Sequence, residues 1–264
     1  MAAQTRSDLK IPYGISDFRR IRREGYYYID KTSFVAQLEA RDSFAFFVRP
    51  RRFGKSLFVD MLHYYYDLRE KDNFEDYFGG LWIGEHPTAN RNRYLVLHLD
   101  FSKTATTENR TMAEGFNGYL RIKLLSLANA YPAVFDADFR KMLMEFGAED
   151  MFAVIVDHAK SLGLPLYLII DEYDNFTNTL IRSAGHEPYK SITHGTGFYR
   201  AWFKRFKGSF DRIFMTGVSP VTMDDLTSGF NIAKNISQDE DFNAMLGFSE
   251  DEVLRIYRDF RGSG

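Results

Sequence analysis

Phe44-Ala45-Phe46-Phe47-Val48-Arg49-Pro50-Arg51-Arg52-Phe53-Gly54-Lys55-Ser56 decides the reading of this chain. Its first five residues are apolar without a break, which suits a strand buried on both faces of a parallel sheet. After Ser56, the residues Leu57, Phe58, Met61, Leu62 and Tyr65 recur at helical spacing. A strand, a short loop and an amphipathic helix therefore follow one another, with Gly54-Lys55-Ser56 at the junction. Gly54 lets the backbone approach a phosphate, Lys55 can reach the outer phosphates of a nucleotide, and the Ser56 hydroxyl suits Mg²⁺. The helix start adds amide donors and a partial positive charge for the same anion. We take Arg51, Arg52, Phe53, Gly54, Lys55, Ser56 and Leu57 as the candidate phosphate-binding loop. The full pattern G-x-x-x-x-G-K-[ST] asks for glycine where Arg49 stands, so the formal match fails at one position. Three arginines beside a helix start favour a bound anion; a solvated loop is the plain alternative.

Three further apolar runs lie downstream: Tyr94 to Leu99, Leu166 to Ile170, and Arg212 to Val218. Helical stretches separate them. Phe198, Tyr199, Trp202, Phe203 and Phe206 form one stripe, halted by Gly208. Another, around Met151 to Leu162, stops at Gly163-Leu164-Pro165. Strands alternating with helices predict a doubly wound α/β fold, in which ligands bind at the carboxyl ends of the strands. Leu166 to Ile170 ends there in Asp171-Glu172-Tyr173-Asp174. Asp171 is placed to hold the Mg²⁺ shell with Ser56, and Glu172 to orient and activate water. Their carboxylates lie beside the phosphate loop if the two strands are neighbours. A plain acidic turn, with Asp174 capping a helix, is the competing reading. Thr216, near the end of the fourth run, is a candidate contact for the γ-phosphate or the attacking water, preferred over Ser219; a tight turn of Gly217, Ser219 and Pro220 competes with it.

Composition narrows the classes further. The chain has 264 residues, with 34 Lys plus Arg against 36 Asp plus Glu, so no whole-molecule basic field for coating nucleic acid exists. With zero cysteines, disulfide frameworks, thiolate metal sites and cysteine nucleophiles are excluded. Aromatic residues make up 16%, enough for a large core and against intrinsic disorder. The longest uncharged apolar stretch, Leu162 to Ile170, is nine residues, whereas a spanning helix needs about 20. With a polar start that is no signal peptide, this predicts a cytoplasmic protein without membrane association. The six histidines show no H-E-x-x-H or paired spacing. Arg200, Lys204, Arg205 and Lys207 read as a solvated helix face, with DNA contact or a trans-acting arginine as sharper alternatives. The triplets Tyr26-Tyr27-Tyr28 and Tyr64-Tyr65-Tyr66 read as packing rather than base-stacking platforms.

These motifs together resemble the predicted AAA-ATPase-like proteins of bacteria, often fused to a PD-(D/E)XK nuclease-like domain. The carriers are Ile11-Pro12-Tyr13-Gly14-Ile15 with Asp17-Phe18, Tyr27-Tyr28-Ile29-Asp30-Lys31-Thr32, the Arg49 to Ser56 run, Ile169 to Asp174, Thr216 to Pro220, Ser228-Gly229-Phe230-Asn231-Ile232 and Leu246-Gly247-Phe248-Ser249. The resemblance implies ATP and Mg²⁺ binding with hydrolysis, on a three-layer α/β/α P-loop core with an additional strand. It implies that Arg49 belongs to the family's own loop, and that Asp30-Lys31-Thr32 lies near the nucleotide. It divides the chain into an N-terminal segment over residues 1–35, a core over 36–230 and the start of a helical lid over 231–264, which reads as cut short at Arg261-Gly262-Ser263-Gly264, by a fragment end or a tag scar. A nucleic-acid partner is implied only through the nuclease-like region, and a homo-oligomer stays open; Asp8-Leu9-Lys10 is no nuclease motif in its polar setting. Catalytic roles fall to Glu172, Lys55 and Thr216, and metal binding to Ser56 and Asp171. A nucleotide-gated binding module, a phosphotransferase to a small acceptor and a DNA-associated scaffold are the alternatives.

Overall fold

The computed structural model of the chain describes residues 10–41, 43–104, 111–184, 186–194, 197–219 and 233–261. Ser228 to Ile232, Pro220, Asp8 and the final Gly-Ser-Gly lie outside them. The elements are α1 (Phe18–Arg23), α2 (Ser33–Ala40), β1 (Phe44–Val48), α3 (Lys55–Tyr66), α4 (Phe74–Phe78), α5 (Trp82–Glu85) and β2 (Leu95–Asp100). Then come α6 (Met112–Ala130), α7 (Ala137–Leu143), α8 (Ala148–Ser161), β3 (Leu166–Asp171), α9 (Asn175–Ala184), α10 (His186–Thr193) and α11 (Phe198–Ser209). The described part closes with β4 (Arg212–Gly217), β5 (Lys234–Asn235) and α12 (Glu250–Arg261).

All four apolar runs are strands, and the five strands form one parallel sheet in the order β2-β3-β4-β1-β5. Alternation along each strand explains the layers. Leu166, Leu168 and Ile170 enter a core shared with Phe116, Ile155, Trp202 and Phe206, which covers one face. Tyr167 and Ile169 enter a second core with Phe58, Leu62, Tyr65 and Tyr66, which covers the other. Period two in the strands and period 3.6 in the helices thus give a sheet buried on both sides, the three-layer sandwich expected. Tyr65 and Tyr66 are fully buried, so that tyrosine triplet is packing. Lys204, Arg205 and Lys207 are exposed on α11, with Arg205 paired to Glu149, as a solvated face requires.

The order places β4 between β1 and β3. The condition that the two motif strands be neighbours therefore does not hold; the intervening strand is the additional one. The strand ends are nonetheless level, because the register pairs Val48 with Gly217, and Asp100 with Asp171. Loops from four strands consequently meet at one edge of the sheet. Gly217 is fixed there by packing: a Cβ on it would lie 2.6 Å from the Tyr173 ring and 2.7 Å from Asp174 Oδ1. Tyr173 is fully buried and cannot yield. Gly217→Ala is expected to cost about 1–3 kcal/mol by overpacking, read as a lower urea midpoint with an unchanged slope.

Candidate functional site

The loop after β1 is held by its own backbone and by the lysine that follows it. Arg52 and Gly54 take left-handed conformations, with φ of 69° and 86°. They turn the chain sharply enough for α3 to start at Lys55. The first helical bond of α3 is Phe58 N–H to Gly54 O at 3.0 Å, so the amides of Lys55, Ser56 and Leu57 have no intrahelical acceptor. These donors sit at the positive end of a twelve-residue helix. Lys55 is 5% exposed, and its ammonium donates to Arg49 O at 2.9 Å and Pro50 O at 3.0 Å, closing the loop. Burial pushes its pKa down, opposed by the nearby carboxylates of Asp171, Glu172 and Asp174.

Arg49, the departure from the glycine pattern, does not face the loop. Its guanidinium lies 4.2 Å from the centre of the Phe47 ring and donates to Val48 O and Ser237 O. Its backbone φ is not positive, so glycine's freedom is not needed at this position. Of the three arginines expected to face an anion, Arg49 is therefore turned away from the loop. Arg49 clamps β1 to the β5 side, whereas Arg51 and Arg52 are exposed and make no ion pair among the described residues. Phe53 is also exposed; its carbonyl accepts from Gly247 N–H at 3.0 Å, tying the loop tip to the segment before α12. Leu57 is half-buried against the α3-side core, so only its backbone is available to a ligand.

Across β4, the acidic strand end meets the loop. Ser56 Oγ donates to Asp171 Oδ2 at 2.6 Å. The other Asp171 oxygen accepts from Thr216 Oγ1 at 2.5 Å and from Glu172 N–H at 3.0 Å. Thr216 is fully buried and spends its hydroxyl proton on Asp171, so it orients that carboxylate rather than facing a ligand. Glu172 has φ of 51°, unusual for a non-glycine residue, and its Oε2 accepts from Asn175 Nδ2 at 2.9 Å. Asp174 precedes α9, and its carboxylate accepts from Asn178 Nδ2 of that helix and from the Val218 and Ser219 amides, locking β4's exit to β3's. Tyr173 completes this lock through its hydroxyl to Ser219 O at 2.6 Å.

Residues 12–227 match the family described as Predicted AAA-ATPase. The chain belongs to this family. It is also 29% identical over 250 residues to an uncharacterized protein in the vnfD 5′ region of Azotobacter chroococcum mcd 1. That alignment covers 94% of this chain and 45% of the relative, so the chain spans a little under half the relative's length. No solved structure matches. Among the described residues of this AAA-ATPase-family chain, no helix is long and apolar enough to cross a membrane.

The family segment Asp30-Lys31-Thr32 reaches the loop indirectly. The Lys31 ammonium donates to Ala244 O at 2.8 Å and to both oxygens of Glu252, at 2.5 and 2.7 Å. Glu252 caps the start of α12 by accepting from Ser249 N–H. Residues 244–252 thus sit between Lys31 and the Phe53 tip. Sequence reasoning missed Asp17, Asp60 and Asp100, which share with Ser56 and Asp171 a cavity of about 300 Å³. For Asp100 a signal existed: it ends an apolar strand as Asp171 does. Burial pushes Asp60 up to about 6 although it accepts from Phe18 N–H at 2.7 Å. A folded-state pKa above the unfolded value of 3.8 means the native state holds the proton longer, so stability falls between about pH 4 and 6. Asp60→Asn keeps an acceptor for Phe18 and removes the charge. It is expected to gain on the order of 1–2 kcal/mol over wild type at pH 8 and nothing at pH 3.5, measured by denaturant unfolding at both.

Proposed function

We propose that this chain binds Mg²⁺-ATP at the level ends of β1, β3 and β4 and hydrolyses it. The observation that carries the reading is the Ser56–Asp171 contact of 2.6 Å, made across an intervening strand beside a buried lysine. A hydroxyl and a carboxylate at this spacing are hard oxygen donors, the set that Mg²⁺ takes from protein while keeping waters and phosphate oxygens for its other positions. When bound, the ion would neutralise phosphate charge and polarise the phosphoryl group. Lys55 would exchange its loop carbonyls for phosphate oxygens, and the amides of Lys55, Ser56 and Leu57 would donate to the same anion. Arg51 and Arg52 would offset phosphate charge at the rim. Glu172, fixed by Asn175, is the acceptor for the proton of an attacking water. Thr216 holds Asp171 in the orientation that faces Ser56.

Thr216→Val tests that last role. It deprives Asp171 Oδ1 of its short hydrogen bond and leaves the volume nearly unchanged. We expect a rise in the Mg²⁺ concentration needed for half-maximal turnover by about tenfold, equivalent to about 1.4 kcal/mol, with ATP affinity at saturating Mg²⁺ little altered. An unchanged Mg²⁺ dependence would remove Thr216 from the site. The reading as a whole is tested by phosphate release from ATP, which must require both the divalent ion and Glu172.

A further inference from the structure

We propose that the cavity beside Ser56 and Asp171 is a second binding site, for a small hydroxylated anion with a phosphate or carboxylate head. The cavity lies between α3, the end of β2 and α6, and holds about 300 Å³, room for a small molecule. Its carboxylates already have donors. Asp17 accepts from Arg20 N–H at the start of α1, and Asp60 accepts from Phe18 N–H. Asp100 accepts from Ser102 and pairs with Lys103 at 2.9 Å. Asp171 is held by Ser56 and Thr216.

Of the two lysines on the same wall, Lys103 has Asp100 as its partner and Lys123 has no such contact. Lys123, from α6, has no carboxylate or carbonyl acceptor among the described residues; its ammonium lies only 5.8 Å from the centre of the Tyr119 ring. Burial and then the neighbouring Lys103 depress its pKa, outweighing the opposing pull of Asp100, as expected of a desolvated cation with no carboxylate in direct contact. His98 also lines the cavity, and its buried Nε2 has no hydrogen-bond partner. Burial, then the charges of His63, Lys123 and Lys103, hold that ring neutral. An oxyanion head held by Lys123 and Lys103 would relieve their repulsion, with Asp17 and Asp60 of the same cavity to accept from ligand hydroxyls. Ser56 and Asp171 also line this cavity, so the site adjoins the proposed nucleotide site, but none of its other contacts requires a nucleotide.

The test is calorimetric titration with glycerol 3-phosphate and with glycerate, using glycerol as the neutral control, on wild type, Lys55→Ala and Lys123→Met. At least one anion is expected to bind wild type and Lys55→Ala with Kd values within roughly twofold, and Lys123→Met to weaken it by about tenfold or more. Which anion binds separates a phosphate head from a carboxylate. A thermal melt confirms that Lys123→Met is folded, and Lys123→Gln serves as a second variant should it not be. Binding lost in Lys55→Ala would assign the signal to the phosphate loop and overturn the proposal. So would binding indifferent to both Lys123 variants, binding of glycerol alone, or no binding by wild type at millimolar ligand. A wild-type protein that binds the anion but not Mg²⁺-ATP would defeat the nucleotide reading alone.

Discussion

Lys55→Ala is expected to weaken Mg²⁺-ATP binding by about a hundredfold, which removes turnover at millimolar ATP. Hydrogen bonds to a charged group are worth about 1.5–3 kcal/mol each, and Lys55 is the one buried cation in contact with the phosphate loop among the described residues. Its burial lowers its pKa and makes the unliganded ammonium costly, so an anion recovers more there than at exposed Arg51 or Arg52. The fold is expected to survive. Arg49 and Pro50 are on the surface loop, and their freed carbonyls can turn to water. Calorimetry of Mg²⁺-ATP into the variant, with a melt to confirm folding, makes the comparison. Lys55→Met gives a second variant that retains the apolar stem. A variant that binds ATP as wild type does would mean that the loop amides alone hold phosphate.

Glu172→Gln is expected to do the opposite: keep ATP and lose hydrolysis. Glutamine is isosteric and preserves an acceptor for Asn175, so the left-handed turn at Glu172 should persist. It cannot take a proton from water. General-base groups typically contribute 10²–10⁴ in rate, so turnover should fall by about a hundredfold or more, with ATP affinity within a few-fold of wild type. Single-turnover phosphate release separates the two quantities. Equal loss of affinity and rate would show that Glu172 holds the turn together rather than serving the chemistry. Asp171→Asn is a useful contrast, because it disturbs the pairing with Ser56 and Thr216 and should raise the Mg²⁺ requirement first.

Much of the fold was legible because the signals were local. Unbroken apolar runs gave four strands, and Gly54-Lys55-Ser56 marked the strand-to-helix turn. The fifth strand, Lys234–Asn235, is two exposed residues at the sheet edge with no apolar run to announce it. The position of β4 between the motif strands is a matter of topology, which no spacing records; only the family resemblance carried it. Arg49 shows the same limit from another side. Its charge suggested a role facing phosphate, yet its partners Val48 O, Phe47 and Ser237 O are one or two residues away or 188 residues on. Thr216 is legible as a strand-end hydroxyl, but its direction, toward Asp171 rather than toward a ligand, depends on the register between β3 and β4. The cavity wall was hidden for the same reason: Asp17, Asp60, Asp100 and Lys123 come from four separate elements, and each alone reads as a surface charge.

The two motifs and the chain around them meet in one geometric statement: a serine at the start of α3 touches a carboxylate at the end of β3, and we propose that together they hold a nucleotide-bound metal. The measurement that tests it most directly is calorimetric titration of ATP into the wild-type protein, once with Mg²⁺ and once with EDTA. The account predicts saturable binding of one ATP per chain that is strengthened by about tenfold or more when Mg²⁺ is present. Binding absent under both conditions, or present and indifferent to Mg²⁺, would contradict it.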